Sequence, residues 1–215
     1  MKNPIRLFLI LLVGSIPLVE AQEQRAEVLL DEVSESLAQF DNISISFTYE
    51  LVNRKELIQQ KEKGSLIIEG DAYLLELMGI KQLSDGTNKH TINPENEEVL
   101  IESLSDDFDE GLRLSKIFSF YKQGYRFEWD ITQPLYGGRK IQYIKLIPID
   151  SYAQAAYLLL GIDTKTKRIY KLIEVNNDGT ETILTISSFK TNIQIPKNTF
   201  VFSASDYPNY YIDKF

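Results

Sequence analysis

The sequence predicts a mostly β protein with helices (α+β), built as one strongly curved antiparallel sheet or incomplete barrel of about eleven strands. Apolar and polar residues alternate strictly in many short segments, which is the pattern of strands with one buried face. Turn-forming pairs such as Asp85–Gly86 separate these segments, as in hairpins. An amphipathic helical pattern precedes the first strand, and a sheet of this size curls and needs elements packed on it.

Residues 1–21 predict a secretory signal peptide. Lys2 and Arg6 precede an apolar run at residues 7–13, and Ala21 ends a small-residue cleavage pattern. The run is shorter than the roughly 20 residues that a membrane-spanning helix needs. We expect cleavage near Ala21, which leaves a soluble exported protein with a single domain at residues 22–215.

Composition excludes several classes of function. The chain has 215 residues, of which 43% are apolar and 25% charged, a balance typical of one globular domain. Its net charge of −8 makes a nucleic acid an improbable partner. The chain contains no cysteine and a single histidine, His90, which removes thiol chemistry and Cys/His zinc sites. We therefore expect no catalytic residues, no metal and no cofactor.

The predicted elements run from a helix to strands, then to a second helix and further strands. Apolar residues between Ala26 and Phe40 recur three and four positions apart, which predicts an amphipathic helix. Similar spacing at residues 107–121 predicts the second helix. The alternating segments lie at residues 42–51, 64–69, 73–78, 81–83, 89–92, 98–102, 125–131, 141–148, 155–162, 168–175, 182–189 and 199–202.

One face of these strands carries aromatic and branched side chains with few polar groups. Burying one methylene group of an acyl chain contributes about 0.8 kcal/mol, so such a lining can hold a long chain without a specific hydrogen bond. The alternative is that the same side chains form an ordinary packed core. The candidate lining residues of an acyl-chain-binding cavity are Phe47, Tyr49, Leu66, Ile68, Tyr73, Leu75, Leu77, Phe127 and Trp129.

Two groups of residues give weak signals of catalysis or metal binding. His90 follows a turn and has no nucleophile or carboxylate at a recognisable spacing, so we expect a surface histidine. The acidic residues Asp106, Asp107, Asp109 and Glu110 lack the ligand order of a calcium loop. We interpret them as favourable charge at the start of the second helix.

Two further groups have structural interpretations. Residues 137–140 lack the strand–loop–helix setting of a phosphate-binding loop and are predicted to join two strands. Tyr207, Tyr210 and Tyr211 either cap the mouth of a cavity or pack a terminal strand on the domain. Packing is the more common use of aromatic side chains.

The order of these features resembles the LolA family of periplasmic lipoprotein carriers. An export signal without a lipid-attachment cysteine is followed by an amphipathic helix and by a series of family-like segments. In chain order these are ISISFTY (43–49), GSLII (64–68), YLLEL (73–77), LSDG (83–86) leading to Asn93 and Pro94, and TFVF (199–202) followed by Pro208. The resemblance covers nearly all of the chain after residue 21.

The resemblance implies an incomplete barrel whose apolar interior is closed by lid helices and receives the acyl chains of lipoproteins. It implies a soluble periplasmic protein that moves lipoproteins from the inner to the outer membrane without making or breaking a bond. An inner-membrane ABC transporter that releases lipoproteins would load it. An outer-membrane receptor, or the membrane itself, would accept the cargo, and a monomer is expected.

This sequence departs from the family pattern at two positions. Gly70 stands where the family often has an arginine that holds the lid closed, and His90 stands where a tryptophan commonly follows the Asp-Gly turn. The gating mechanism of the family therefore does not transfer. Two alternatives stay open: an envelope sensor or adaptor with a packed interior that binds a partner protein, and another lipid-binding protein with the same half-barrel.

Overall fold

The computed structural model describes residues 18–104, 121 and 124–215. In these residues it contains one α-helix and one open, curved sheet of twelve strands, with the helix packed on the sheet as a lid. The helix α1 spans Leu18–Leu37. The strands are β1 (Asn42–Asn53), β2 (Ile58–Glu69), β3 (Ala72–Leu77), β4 (Ile80–Ser84), β5 (Asn88–Asn93), β6 (Glu98–Ser103), β7 (Tyr125–Pro134), β8 (Lys140–Pro148), β9 (Ala155–Asp163), β10 (Arg168–Asn176), β11 (Glu181–Thr191) and β12 (Tyr211–Lys214).

Two antiparallel meanders form the sheet. Strands β1 to β6 pair in chain order, strands β7 to β11 do the same, and the pairing of β1 with β11 joins the two sets. Short turns connect consecutive strands, as the turn-forming residues predict. The last strand, β12, lies parallel to β6 at one edge, and β7 forms the other edge. The predicted class, a curved and mainly antiparallel half-barrel, is confirmed.

The main core lies between α1 and the concave face of the sheet. The helix packs against β7 and β10. Five apolar side chains on one stripe of the helix are between 0% and 5% exposed: Ala26, Leu29, Leu30, Val33 and Leu37. Their spacing of three and four residues places them on the face that meets the strands. The amphipathic pattern therefore identified the buried face of the helix correctly.

A second, smaller core lies on the opposite face of strands β3 to β6. Leu83, Ile92 and Val99 are at most 2% exposed there, and the chain after β11 returns to cover them with Phe202, Tyr207 and Tyr210. The packing interpretation of Tyr207 and Tyr210 is thus confirmed, and Tyr211 begins β12. Backbone hydrogen bonds fasten this terminal segment to β6 at both ends of β12.

Two strand predictions are wrong in detail. Residues 199–202 form turns rather than a strand: Thr199 N–H donates to the Pro196 carbonyl at 3.0 Å, and the chain has already left the sheet. The apolar pattern there reflects the packing of Phe202 on the second core. The edge strand β12 was not among the predicted alternating segments, because its two apolar residues, Tyr211 and Ile212, are adjacent and its side chains are mostly exposed.

The strand β2 is also longer than predicted. It begins at Ile58 rather than at residue 64, and its first part pairs with β1 as an extended hairpin. Residues 58–63 are exposed and mostly polar or charged, so they carry no alternating signal. The predicted second helix at residues 107–121 and the acidic residues at 106–110 lie outside the described residues, apart from Tyr121.

Candidate functional site

All nine candidate lining residues belong to one apolar cluster with the inner face of α1. Phe47, Leu66, Ile68 and Tyr73 are buried, between 1% and 7% exposed. The other five candidates, Tyr49, Leu75, Leu77, Phe127 and Trp129, are partly buried and pack against them. The cluster also contains buried side chains from β8 and β9 that were not among the candidates: Ile144, Leu146, Leu158, Leu160 and Ile162.

Strand register explains why candidates distant in sequence come together. Residues paired across neighbouring strands point to the same face of a sheet. Ile43, Ile68 and Tyr73 form one such row across β1, β2 and β3, and the next row holds Ile45, Leu66 and Leu75. The third row pairs Phe47 with Gly64 and Gly64 with Leu77.

Gly64 makes room for an aromatic ring in this third row. A Cβ atom at this position would lie 2.4 Å from Cζ of Phe47, far inside van der Waals contact. The ring of Phe47 therefore lies directly over the glycine backbone and closes the surface that a missing side chain leaves open. The apolar surface ends at this position, because the residues that precede Gly64 in β2 are exposed and mostly polar or charged.

The concave face becomes polar beyond β3. The Tyr73 hydroxyl donates to Oε1 of Gln82 at 3.0 Å, and Nε2 of Gln82 donates to Oγ1 of Thr91 at 3.1 Å. Burial, with a smaller contribution from the Glu102 carboxylate, raises the pKa of Tyr73 to about 12. The phenol stays neutral and serves as a donor, so this hydrogen-bonded row bounds the apolar cluster without adding charge to it.

Polar contacts as well as apolar packing hold the helix α1 in place. Near its middle, the hydroxyl of the buried Tyr121 donates to the Leu30 carbonyl at 2.6 Å. On the outer surface, Nζ of Lys167 forms an ion pair with Glu32, both side chains being partly exposed. Exposed ion pairs of this kind contribute about 0–1 kcal/mol. The stripe of five buried apolar side chains therefore contributes more to the docking of the helix than this ion pair does.

A groove of about 790 Å³ lies near the β3–β4 turn and has a mixed lining. Polar side chains such as Ser46, Lys63 and Glu76 line it together with two candidate residues, Phe47 and Leu77. The groove therefore adjoins the apolar cluster.

His90 is not the surface histidine that the sequence suggested. It is 8% exposed and its ring stacks on Phe202 with 4.6 Å between ring centres, inside the second core. Its Nδ1 atom has no hydrogen-bond partner among the described residues. Burial lowers the pKa of His90, although the Asp85 carboxylate and the Leu83 carbonyl oppose this shift. The terminal segment that buries it follows 100 residues later in the chain, so local sequence gave no sign of it.

The residues 137–140 join β7 and β8, as predicted. Gly137 and Gly138 both adopt positive φ values, 75° and 76°, in a short turn. Nε of Arg139 donates to the buried Asp163 at 2.8 Å and ties this turn to the end of β9. The turn therefore has a structural role at one end of the half-barrel.

No group of three or more histidine, aspartate or glutamate side chains comes together as a metal site within residues 18–104, 121 and 124–215. In that part of the chain, α1 is not long and apolar enough to span a membrane.

Comparison with known proteins supports the fold. The sequence matches no protein-family model and no curated protein. The structure is similar to an uncharacterised conserved protein from Thermus thermophilus, with a TM-score of 0.60 and 12% identity over 89% of this chain and 100% of that one. The two chains share a fold at an identity too low to transfer a function.

Two further structural likenesses have lower TM-scores. A LolA superfamily protein from Nitrosomonas europaea aligns with a TM-score of 0.41 and 13% identity, over 82% of this chain and 97% of that one. MucB in the MucA/MucB complex from Pseudomonas aeruginosa aligns with a TM-score of 0.45 and 15% identity, over 84% of this chain and 62% of that one.

Proposed function

We propose that the chain is a soluble periplasmic carrier that binds the acyl chains of lipoproteins between α1 and the concave face of the sheet. An inner-membrane ABC transporter loads it, and an outer-membrane receptor or the membrane itself accepts the cargo. The protein acts as a monomer and catalyses no reaction. The observation that supports this proposal is the single apolar cluster in which the helix α1 packs with all nine apolar candidates, which come from the four strands β1, β2, β3 and β7.

Binding in this proposal requires α1 to move. Its apolar stripe packs on the concave face, chiefly against β7 and β10, while apolar side chains on β1, β3 and β7 are only partly buried. An acyl chain that replaces the helix offers the strands the same kind of surface, so apolar area stays buried in both states. A carrier of this type exchanges one apolar partner for another, which keeps affinity moderate and allows release.

Loading and transfer of a lipoprotein test the proposal directly. We expect lipid extraction of the protein purified from the periplasm to yield bound acyl chains, and the purified protein to transfer a model lipoprotein between vesicles. Leu75→Gln places a polar group in the cluster and is expected to reduce both. The matched control is Leu74→Gln, since Leu74 neighbours it on the same strand but packs on the second core. Equal loss in both variants, or no lipid in the unaltered protein, contradicts the proposal.

The second candidate function is an envelope sensor or adaptor that binds a partner protein and never opens. One observation favours it: the apolar stripe of α1 is at most 5% exposed, so the helix is already fully packed on the sheet through that stripe. A hydrophobic fluorescent dye separates the two functions. A carrier binds the dye and releases it when fatty acid is added, whereas a closed adaptor does neither.

A further inference from the structure

A second hollow of about 400 Å³ lies beside the helix, at the edge of the apolar cluster. It is bounded by the middle of α1, by β7 and β8, and by the turn between β9 and β10. Its volume falls within the roughly 300–1,000 Å³ range of small-ligand pockets. Of the nine candidate lining residues, only Trp129 reaches it.

Most of the charged side chains that line this pocket are positive, although the whole chain carries a net charge of −8. Its lining includes Arg25, Lys140 and Lys167, against one carboxylate, Glu32. Glu32 is already paired with Lys167. Arg25 and Lys140 have no ion-pair partner among the described residues, so two positive charges face the pocket without compensation.

The base of the pocket is apolar and continuous with the core. Leu29, 5% exposed, belongs to the main cluster, and Trp129 packs against that cluster. The guanidinium carbon of Arg25 lies 3.9 Å from the centre of the Trp129 ring. Such stacking positions the guanidinium group while leaving its N–H donors available at the edge.

The side of the pocket opposite the helix is held by a rigid turn. The Lys140 carbonyl accepts hydrogen bonds from the backbone N–H and the hydroxyl of Thr164, at 3.0 and 3.2 Å. Asp163, with its side chain 4% exposed, accepts from Arg139 and from the backbone N–H of Lys165. These bonds hold the β9–β10 turn, which contains Lys167, against the start of β8, where Lys140 lies.

We propose that this pocket binds the phosphate of an amphiphilic ligand whose alkyl or acyl chain enters the adjoining apolar cluster. This inference rests on the proposed function, because the chain of the ligand occupies the same cluster. A phosphate monoester carries a charge of about −1.5 to −2 at neutral pH, which matches the two uncompensated cations. Arginine offers paired donors to phosphate oxygens, and Lys140 adds a point charge from the opposite wall.

Three ligands distinguish a lipid phosphate from free phosphate. Calorimetric titration uses dodecyl phosphate, the uncharged 1-monolauroylglycerol with a chain of similar length, and inorganic phosphate, with both amphiphiles below their micelle-forming concentrations. We expect dodecyl phosphate to bind about tenfold tighter than the uncharged lipid, the size expected for one or two charge-assisted hydrogen bonds. The preference should shrink with added salt, because both cations are exposed at the rim.

The test variant is the double substitution Arg25→Gln and Lys140→Gln. It should lose the preference for dodecyl phosphate and keep its affinity for 1-monolauroylglycerol. The matched control is Arg126→Gln with Lys165→Gln, which removes the same charge from exposed positions that do not line the pocket. Circular dichroism and thermal unfolding confirm that both double variants fold.

Each outcome decides the inference. If the unaltered protein binds the two amphiphiles with equal affinity, the phosphate site is overturned and the proposed acyl-chain function is unaffected. The same conclusion follows if the double variant Arg25→Gln with Lys140→Gln keeps the preference for dodecyl phosphate. The unaltered protein could also bind inorganic phosphate but neither amphiphile, and the double variant could lose this binding. That result overturns both the lipid ligand and the acyl-chain function, and it assigns the pocket to free phosphate. Binding of none of the three ligands contradicts both proposals.

Discussion

At the scale of single residues, the pair of Gly64 and Phe47 determines how the apolar surface closes. The position of the ring requires a residue without a side chain on the facing strand, because a Cβ atom there would meet Cζ at 2.4 Å. The glycine has ordinary extended backbone in β2, so only the space above it demands glycine. In the sequence, Gly64 appeared only as the first residue of the predicted strand at 64–69.

We therefore expect Gly64→Ala to lower the free energy of unfolding by about 1–3 kcal/mol, the usual cost of overpacking a core. The control is Ser65→Ala on the opposite face of the same strand, where a change within about 0.5 kcal/mol is expected. Urea unfolding at neutral pH measures both. A second substitution, Phe47→Leu, should recover part of the loss in Gly64→Ala, and additive losses would contradict the packing assignment.

His90 links stability to pH. Its pKa is lowered in the folded protein because the ring is buried against Phe202, whereas in the unfolded chain it takes its ordinary value of about 6.5. The unfolded chain thus binds a proton more readily than the folded one. Stability contributed by the neutral ring is present above pH 6.5 and is lost as the pH falls below it.

Replacing His90 with phenylalanine should remove this pH dependence while keeping the stack on Phe202. We expect the urea midpoint of the unaltered protein to fall more between pH 7.5 and pH 5.5 than that of His90→Phe. Comparing the two proteins at each pH cancels the titration of the carboxylates they share. Parallel pH profiles would show that the ring stays neutral or is solvated in the folded state.

At the scale of elements, α1 presents two faces with very different roles. Leu30 is 1% exposed and faces the strands, whereas Val28 is 55% exposed on the same helix. Leu30→Ala should lower the free energy of unfolding by about 2–5 kcal/mol, and Val28→Ala should change it by no more than about 0.5 kcal/mol. Thermal and urea unfolding of the two variants measure this difference. Similar losses in both would mean that the helix does not bury the stripe described here.

The helix and most strands were predictable because their signals are local. Alternation of period two located β1 and the hairpins of the second meander, and the three-and-four spacing located the buried stripe of α1. The exceptions depend on distant partners. Residues 58–63 are strand because β1 extends beside them, and Tyr211–Lys214 is strand because β6 offers a free edge.

At the scale of the whole molecule, two meanders of one sheet and a single helix create the candidate site. Sequence alone placed the nine candidate residues on one face, and register then brought them into one cluster. It could not predict which strands α1 packs against, because that depends on how far the sheet curves. It also missed the pocket beside the helix, since Arg25, Lys140 and Lys167 share no local pattern.

The central claim is that the space between α1 and the sheet admits an acyl chain, and Trp129 can report on it directly. It is the only tryptophan in the chain, it packs against the cluster, and it is partly exposed. The most direct measurement is a titration with 1-monolauroylglycerol while the emission of Trp129 is recorded. Entry of the chain should produce a saturable shift of the emission to shorter wavelength, because apolar carbon replaces water around the indole ring. Emission that stays unchanged up to the solubility limit of the lipid would contradict the carrier function.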